Sequence, residues 1–215
     1  MWLFLCGITG CVAPVNLTYE SATLLEKGAV DVQANAAAYF YPYSNHLNNS
    51  NGFTNLNYGL KLGYGVDERY TVKVRYEHLR TPDVIGPFRD LFPDVNPVVL
   101  DMDYVEIESK IGLKKPGRAF GLPIAYYFTG SFSFDPRFYF TFQNAKKTFE
   151  FTVIPKMHIF FGSTPYLMPG ISLGAGFSSD FQRWAFRPEI GWDGFAAFGA
   201  AFTYRLVNPA RKKKE

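Results

Sequence analysis

Residues 55–66, NLNYGLKLGYGV, alternate almost without exception between apolar and polar side chains. A period of two predicts a β-strand with one apolar face and one polar face. What each face contacts decides which class of protein this chain can be. The apolar parity of this segment carries Leu56, Tyr58, Leu60, Leu62, Tyr64 and Val66.

The same alternation recurs along the whole chain. It predicts about ten strands of the 9–11 residues typical of membrane-spanning β-segments. Counts of eight or twelve stay open, because the region 134–148 can be divided in more than one way. We expect no Asp, Glu, Lys or Arg on the apolar parity. The further segments are 29–42, 70–79, 103–113, 122–134, 137–143, 148–161, 170–178, 183–192 and 195–206.

Three all-β architectures produce such alternation: a sandwich, a lipocalin-like barrel and a transmembrane barrel. A small barrel could not enclose most of 22 Phe and 14 Tyr, because its interior only just holds its own side chains. The polar parity is rich in small residues such as Gly174, Gly176 and Gly199, which suit a concave interior. The sequence therefore predicts an antiparallel up-and-down transmembrane β-barrel, with the apolar parity facing lipid.

Charged residues on the polar parity then face the lumen. There they can pair with one another, while Arg or Lys at the lipid midplane would cost roughly 2–4 kcal/mol. We expect a salt-bridged lumen, further filled by Tyr104 and Tyr139. The predicted lumen network is Lys73, Arg75, Glu77, Glu106, Glu108, Lys110, Arg137, Glu150, Lys156, Arg187 and Glu189.

The chain begins MWLFLCGITGC, a short apolar run that ends in small residues and a cysteine. This is typical of a secretory leader, and residues 8–11 match a bacterial lipobox, in which Cys11 would be acylated. No Lys or Arg precedes the apolar run, so we expect the natural start to lie elsewhere. The predicted organisation is a leader over 1–11, a periplasmic tether over 12–28 that could instead be a plug, a barrel over 29–206 and a basic tail over 207–215.

The region after the cysteine resembles a known group. Cys11, Pro14 and the run Ser21–Gly28 (SATLLEKG), leading directly into an alternating strand, are similar to the β-barrel outer-membrane lipoproteins of the Bacteroidota. The resemblance implies an outer-membrane location and a lipid tether, and it implies no reaction. VAPVN after Cys11 lacks an acidic surface-export signal, which favours a tether on the periplasmic side.

Candidate catalytic residues are few. His78 falls on the lipid parity near a strand end, and His158 shares the polar parity with Lys156 and Glu150. Lipid A deacylases of small-barrel form use a lipid-facing His closely followed by a Ser, and HLRT at 78–81 lacks that serine. Glu106 and Glu108 have a spacing that a glycosidase could use, but a salt-bridged lumen explains them better.

Ligand chemistry is equally sparse. The cysteines and the three histidines, including His46 in an Asn-rich loop, have no metal-ligand spacing, so we expect no metal and no cofactor. Carboxylates in the segment 80–101 (Asp83, Asp90, Asp94) could take Ca²⁺, although a solvated loop is the default. A net charge of +3 is too small to indicate nucleic acid.

The first hypothesis is an outer-membrane β-barrel lipoprotein with a structural, adhesion or small-solute passage role and no evident catalytic site. Its partners would be outer-membrane lipids and a small solute or an envelope component. Two alternatives stay open. One is a lipid-modifying enzyme (acyl hydrolase or transferase) with a site among His78, His158 and nearby carboxylates. The other is a soluble periplasmic β-sandwich lipoprotein.

Overall fold

The computed structural model describes residues 17–41, 53–80, 101–162, 165–193 and 196–207. Cys11, His46, the Asp-rich segment 81–100 and the basic tail from 208 onward lie outside the described residues. Within the described ranges, no helix is long and apolar enough to cross a bilayer.

From residue 30 onward the described chain is antiparallel β-structure joined by turns and loops. Each strand pairs with the next strand in sequence except the sixth, which does not pair with the seventh. The strands are β1 (Val30–Tyr41), β2 (Phe53–Gly65), β3 (Tyr70–Arg80), β4 (Asp101–Gly112), β5 (Arg118–Tyr127), β6 (Ser131–Phe134), β7 (Arg137–Gln143), β8 (Phe149–Phe161), β9 (Tyr166–Phe177), β10 (Trp184–Trp192) and β11 (Ala196–Val207).

The sheet closes on itself. β1 pairs with β2 on one side and with β11 on the other, where Asn35 lies opposite Ala201. β4 pairs with β5, and β8 pairs with both β6 and β7, which completes the ring. A closed ring has no free edge. The soluble sandwich considered from the sequence is therefore wrong, and the predicted up-and-down barrel is confirmed.

The wall has ten strands in effect, because β6 and β7 are two halves of one strand. Ile124 pairs with Phe134 of β6, and Arg118 pairs with Phe140 of β7, without a register shift between them. Asp135 and Pro136 only interrupt the ladder, since proline has no N–H to donate. The sequence places a strand over 122–134 with a turn at Asp135–Pro136. That boundary is wrong, because the true turn follows β5 and includes Gly130 at φ 89°.

The distribution of polarity is the reverse of that in a soluble protein. Apolar side chains on the outer face, such as Leu60, Ile107 and Ile190, are more than half exposed, at 56%, 54% and 57%. On the inner face, Lys61 is 2% exposed and Arg75 is 1% exposed. An apolar outer band around a polar interior is the pattern of a barrel embedded in lipid.

The outer face is not free of charge, so the expectation of a purely apolar parity is wrong near strand ends. Asp103 of β4 points outward, as do Arg80 at the end of β3 and Arg118 at the start of β5. The Asp103 carboxylate accepts from the Tyr76 hydroxyl at 2.6 Å and lies 2.9 Å from His78 Nδ1. Charge near a membrane interface costs little, about 0–1 kcal/mol for Arg or Lys.

The two ends of the barrel differ in their connections. The turn end carries the connections 66–69, 113–117, 144–148 and 178–183, together with the start of β1 and the end of β11. The loop end carries the longer connections 42–52 and 81–100, together with the short connections 128–130, 162–165 and 193–195. In outer-membrane barrels the short connections face the periplasm and the long ones face outward.

Candidate functional site: the lumen

The segment before β1 lies inside the barrel. This segment runs from the turn end towards the middle of the lumen, and along the way it contacts successive inward-facing residues of β3. The Leu25 N–H donates to Thr71 Oγ1 at 3.1 Å, Glu20 pairs with Lys73 at 2.9 Å, and the Leu17 carbonyl accepts from Arg75 Nη1 at 2.7 Å. From Leu17 onward, the segment predicted as a tether or a plug therefore lies in the lumen as a plug. Below, residues 17–29 are called the plug.

Glycines on the inner wall make room for the plug. A Cβ atom at Gly65 would collide with the backbone carbonyl of Glu26, and one at Gly199 would collide with the Tyr19 hydroxyl. The Gly65 carbonyl also accepts from the Gly28 N–H at 2.7 Å. Small residues on the polar parity therefore serve close backbone contact with the plug, in addition to fitting a narrow interior.

Glu20 is the centre of the plug's contacts with the wall. Its carboxylate lies 2.8 Å from Lys61 Nζ, 2.9 Å from Lys73 Nζ and 2.8 Å from Lys110 Nζ. Burial raises the pKa of the Glu20 carboxyl, but the positive charges of Lys110, Lys61 and Lys73 outweigh burial and hold that pKa well below its ordinary range. Glu20 is therefore an anion held by three cations.

A second wall carboxylate holds the backbone of the plug. Glu189 accepts from the Thr18 N–H at 2.9 Å and from the Tyr19 N–H at 2.5 Å. Gln33 Nε2 donates to the Tyr19 carbonyl at 3.0 Å. Buried backbone groups need partners, and lumen side chains supply them at Thr18 and Tyr19.

Deeper in the lumen, Glu77 is the shared acceptor of a second cluster. It accepts from Arg75 Nε at 2.6 Å, from the Tyr104 hydroxyl at 2.5 Å and from Asn35 Nδ2 at 2.5 Å. Glu77 and Tyr104 are fully buried. The carboxylate and the guanidinium thus compensate each other without contact with water.

The remaining predicted network residues also lie on the inner face, in separate pairs. Arg137 Nη2 lies 2.9 Å from Glu106, Arg187 Nη1 lies 2.6 Å from Glu150, and Lys156 Nζ lies 3.8 Å from Asp193. The Tyr139 hydroxyl donates to Glu108 at 2.5 Å. These contacts group the predicted residues into local clusters around the wall.

Aromatic and apolar side chains fill the lumen near the loop end. The Tyr104 and Tyr127 rings lie 5.5 Å apart, and the Tyr127 and Phe160 rings lie 5.7 Å apart. Ring pairs at this spacing favour each other beyond simple burial. We call this set the loop half of the lumen: Leu79, Met102, Tyr104, Ala125, Tyr127 and Phe160.

Near the turn end, which we call the turn half, the lumen retains open space. A cavity of about 400 Å³ lies beside the plug. Its lining includes the Glu20 site and a further set of cations: Lys146, Lys147, Arg183, Arg187 and Arg205. The two halves of the lumen are therefore filled in different ways.

The two candidate histidines lie on opposite faces of the wall. His78 faces outward beside Asp103, and its ring lies 5.1 Å from the Tyr58 ring. His158 is 1% exposed on the inner face, where Nδ1 contacts Asp135. The enzyme hypothesis placed both histidines in one active site, and their positions on opposite faces of the wall exclude that arrangement. Among the described residues, no group of three His, Cys, Asp or Glu could hold a metal ion.

Sequence reasoning missed Glu20, Lys61, Asp135 and Asp193 as members of the lumen clusters. Lys61 stands on the polar parity of β2, so the alternation could have included it. Glu20, Asp135 and Asp193 lie outside regular strands, where odd or even position does not determine the direction in which a side chain points. Their positions depend on the path of the plug and on the ends of β6 and β10.

No protein-family model matches the chain, and no curated protein matches it. Solved structures with a similar fold include an outer membrane channel from Pseudomonas putida (TM-score 0.47, 10% identity, covering 91% of this chain and 100% of that one). Another is the beta domain of the Bordetella autotransporter Brka (0.45, 11%, 83% and 99%). A third is the KdgM porin (0.42, 9%, 83% and 99%). On its own geometry, the chain is a membrane-spanning β-barrel of the bacterial outer-membrane type.

Proposed function

We propose that this protein is an outer-membrane lipoprotein whose barrel is closed to solutes and holds its long connections at the cell surface, in a structural or adhesive role. The observation that carries the proposal is the filled lumen. The plug occupies the turn half, and apolar side chains occupy the loop half. A diffusion pore needs a continuous water path, and the described lumen residues leave none in the loop half.

The fixed position of the plug supports the closed state. The backbone of Thr18 and Tyr19 is bound by Glu189, and the Glu20 side chain is bound by three lysines. Breaking these contacts would expose several buried charges without partners, and each such charge costs several kcal/mol. The plug therefore belongs to the folded barrel as an internal element.

A liposome-swelling experiment tests the closed state. The full chain is reconstituted and compared with a general porin at equal folded amounts, with folding checked by the mobility shift between unheated and boiled samples. We expect a heat-dependent shift and no uptake of small sugars. Sugar uptake at rates comparable to the porin would overturn the proposal.

We further propose that Cys11 carries the lipid anchor. The lipobox and the resemblance to Bacteroidota barrel lipoproteins support this assignment. Radiolabelled palmitate incorporation into the full chain, compared with a Cys11→Ala variant, tests it. Label in the native chain that is absent from the variant is the expected result, whereas equal labelling of both would exclude Cys11.

Small-solute passage is the second candidate, and the cation-lined cavity in the turn half favours it. Passage would require that the plug leave and that the loop half rearrange. Swelling of liposomes by organic anions, with sugars still excluded, would support this candidate over the first.

A further inference from the structure

Three lysines bring their charges to one point of the inner wall. Lys61 of β2, Lys73 of β3 and Lys110 of β4 stand on neighbouring strands, and their ammonium groups surround a single carboxylate. Lys61 Nζ contacts one Glu20 oxygen, while Lys73 and Lys110 contact the other. The arrangement is therefore a small binding site for a planar anion with two oxygens.

The anion in this site belongs to the plug and not to the wall. Among the ion pairs within the described ranges, Glu20 is the carboxylate that each of the three lysines contacts. Glu108 lies directly across the ladder from Lys73, but its Oε1 accepts from Tyr139. Asp31 of β1 lies across Gly63 from Lys73, and both Asp31 and Glu108 act electrostatically on Lys73 without an ion-pair contact. The wall therefore places two carboxylates near three lysines, which leaves one positive charge in excess for the plug to compensate.

Buried ammonium groups need an anion. The side chains of Lys61 and Lys110 are 2% and 1% exposed, and that of Lys73 is 10% exposed. Removing one partner of a buried ion pair leaves the other charge uncompensated, which is strongly destabilising. Whenever the Glu20 carboxylate is absent, another anion of similar shape is therefore favoured.

We propose that Lys61, Lys73 and Lys110 form an anion-binding site that Glu20 occupies as an internal ligand, and that a small carboxylate can occupy it from the turn end. The cavity beside the plug gives access to this point. Its lining carries further cations, including Lys146 and Arg183. The whole lining has eight basic side chains against five acidic ones, and such an excess of one sign of charge concentrates ions of the opposite sign.

Acetate rescue of a Glu20→Ala variant tests the site. The full chain is folded in detergent, and the temperature at which the unheated gel band is lost is measured in sodium acetate and in sodium chloride at equal ionic strength. We expect the variant to melt at a higher temperature in acetate, with a saturable concentration dependence. The native chain should melt equally in both salts, because Glu20 fills the site.

Two further variants control the interpretation. Adding Lys110→Met to Glu20→Ala should remove the acetate effect, because the site loses a donor. Glu77→Ala removes a carboxylate deeper in the lumen and away from the cavity lining, so it should show no acetate effect. If Glu20→Ala fails to fold in chloride, the yield of folded barrel in acetate becomes the readout.

Equal melting or equal folded yield of Glu20→Ala in both salts would overturn the proposal. An acetate effect that survives Lys110→Met or appears equally in Glu77→Ala would also overturn it. The result is independent of the closed-barrel function, because that function is measured by solute uptake of the native chain.

Discussion

The two halves of the lumen exclude water by different means. In the loop half, wall side chains such as Tyr104, Tyr127 and Phe160 pack against one another and are almost wholly buried. In the turn half, the wall is cationic, and a separate stretch of chain supplies the missing carboxylate. The loop half is thus filled mainly by wall side chains, with Leu17 of the plug packed in one cluster with Tyr39, whereas the turn half is filled by the plug.

The difference shows how a narrow barrel can keep many charges inside a membrane. Glu77 and Arg75 are compensated by neighbours on the same wall, which are fixed once the strands pair. Lys61 and Lys110 make their ion-pair contacts with Glu20 of the plug. Perturbations of the two halves should therefore have different sizes.

The largest difference should come from removing the central carboxylate of each half. Glu77→Ala leaves the Arg75 guanidinium buried without its partner, so we expect a loss of about 3–5 kcal/mol in the free energy of unfolding. Glu20→Ala should cost less, about 1–3 kcal/mol, because anions and water can enter from the cavity. Urea unfolding of both variants in lipid or detergent measures the gap, and equal losses would contradict the distinction between the halves.

Both halves presuppose that the apolar parity faces lipid. Leu60→Arg should reduce membrane assembly by about 2–4 kcal/mol, because it places a charge in the lipid-facing band. Its inward neighbour Lys61 offers the matched substitution, and Lys61→Ala should still assemble since Lys73 and Lys110 keep the Glu20 contact. The heat-modifiable fraction in outer membranes reports assembly. Equal tolerance at both positions would mean that the faces are assigned the wrong way round.

Low pH should weaken the contact between Glu20 and the wall lysines, because it protonates the Glu20 carboxylate. The pKa of Glu20 is lowered in the folded protein, so its stabilisation is complete above its unfolded value of about 4.3 and is lost as pH falls through the lowered value. The difference in melting temperature between the native chain and Glu20→Gln should therefore stay constant from about pH 8 to pH 5 and shrink only below about pH 4. A difference that vanishes near neutral pH would contradict this assignment.

The smallest effect is expected at the mouth of the turn half. Arg187 pairs with Glu150, but its side chain is 14% exposed and borders the cavity. Arg187→Met leaves the Glu150 carboxylate, which is 2% exposed, without its cation, so we expect a loss of about 1–2 kcal/mol in the free energy of unfolding, at the low end for a buried group left unsatisfied, because water from the cavity can reach it. Unfolding in low and high salt measures this change in free energy. A loss as large as that of Glu77→Ala would show that water is excluded from the Arg187–Glu150 pair as fully as from the loop half.

The wall could be predicted from the sequence because strand geometry fixes side-chain direction. Once Leu60 and Lys61 fall on opposite faces, every other residue of β2 follows, and neighbouring strands repeat the rule. The effective strand number was therefore predictable, although the turn near Gly130 was not. Tyr126, Phe128 and Phe132 are apolar residues at even-numbered positions on both sides of that turn. The alternation therefore continues through the turn and does not reveal it.

The plug could not be predicted from periodicity. Residues 17–29 have no regular repeat, so nothing in the order of Thr18, Tyr19 and Glu20 shows which side chain faces the wall. The information lies in the wall instead. Glycines at Gly63 and Gly65 leave room for a further backbone on the inner face. The inward charges of β2, β3 and β4 are nearly balanced, so they do not by themselves indicate that a further carboxylate enters the lumen.

Single-channel conductance in planar bilayers tests the central claim, that two different devices close the lumen, most directly. Four proteins are compared: the native chain, a deletion of residues 17–25, a Tyr104→Ala/Tyr127→Ala variant, and the combination, each first shown to be folded by its heat-dependent gel shift. We predict steady conductance only for the combination, because each single change leaves the other half closed. Steady conductance of the native chain, or of the deletion alone, would contradict the account.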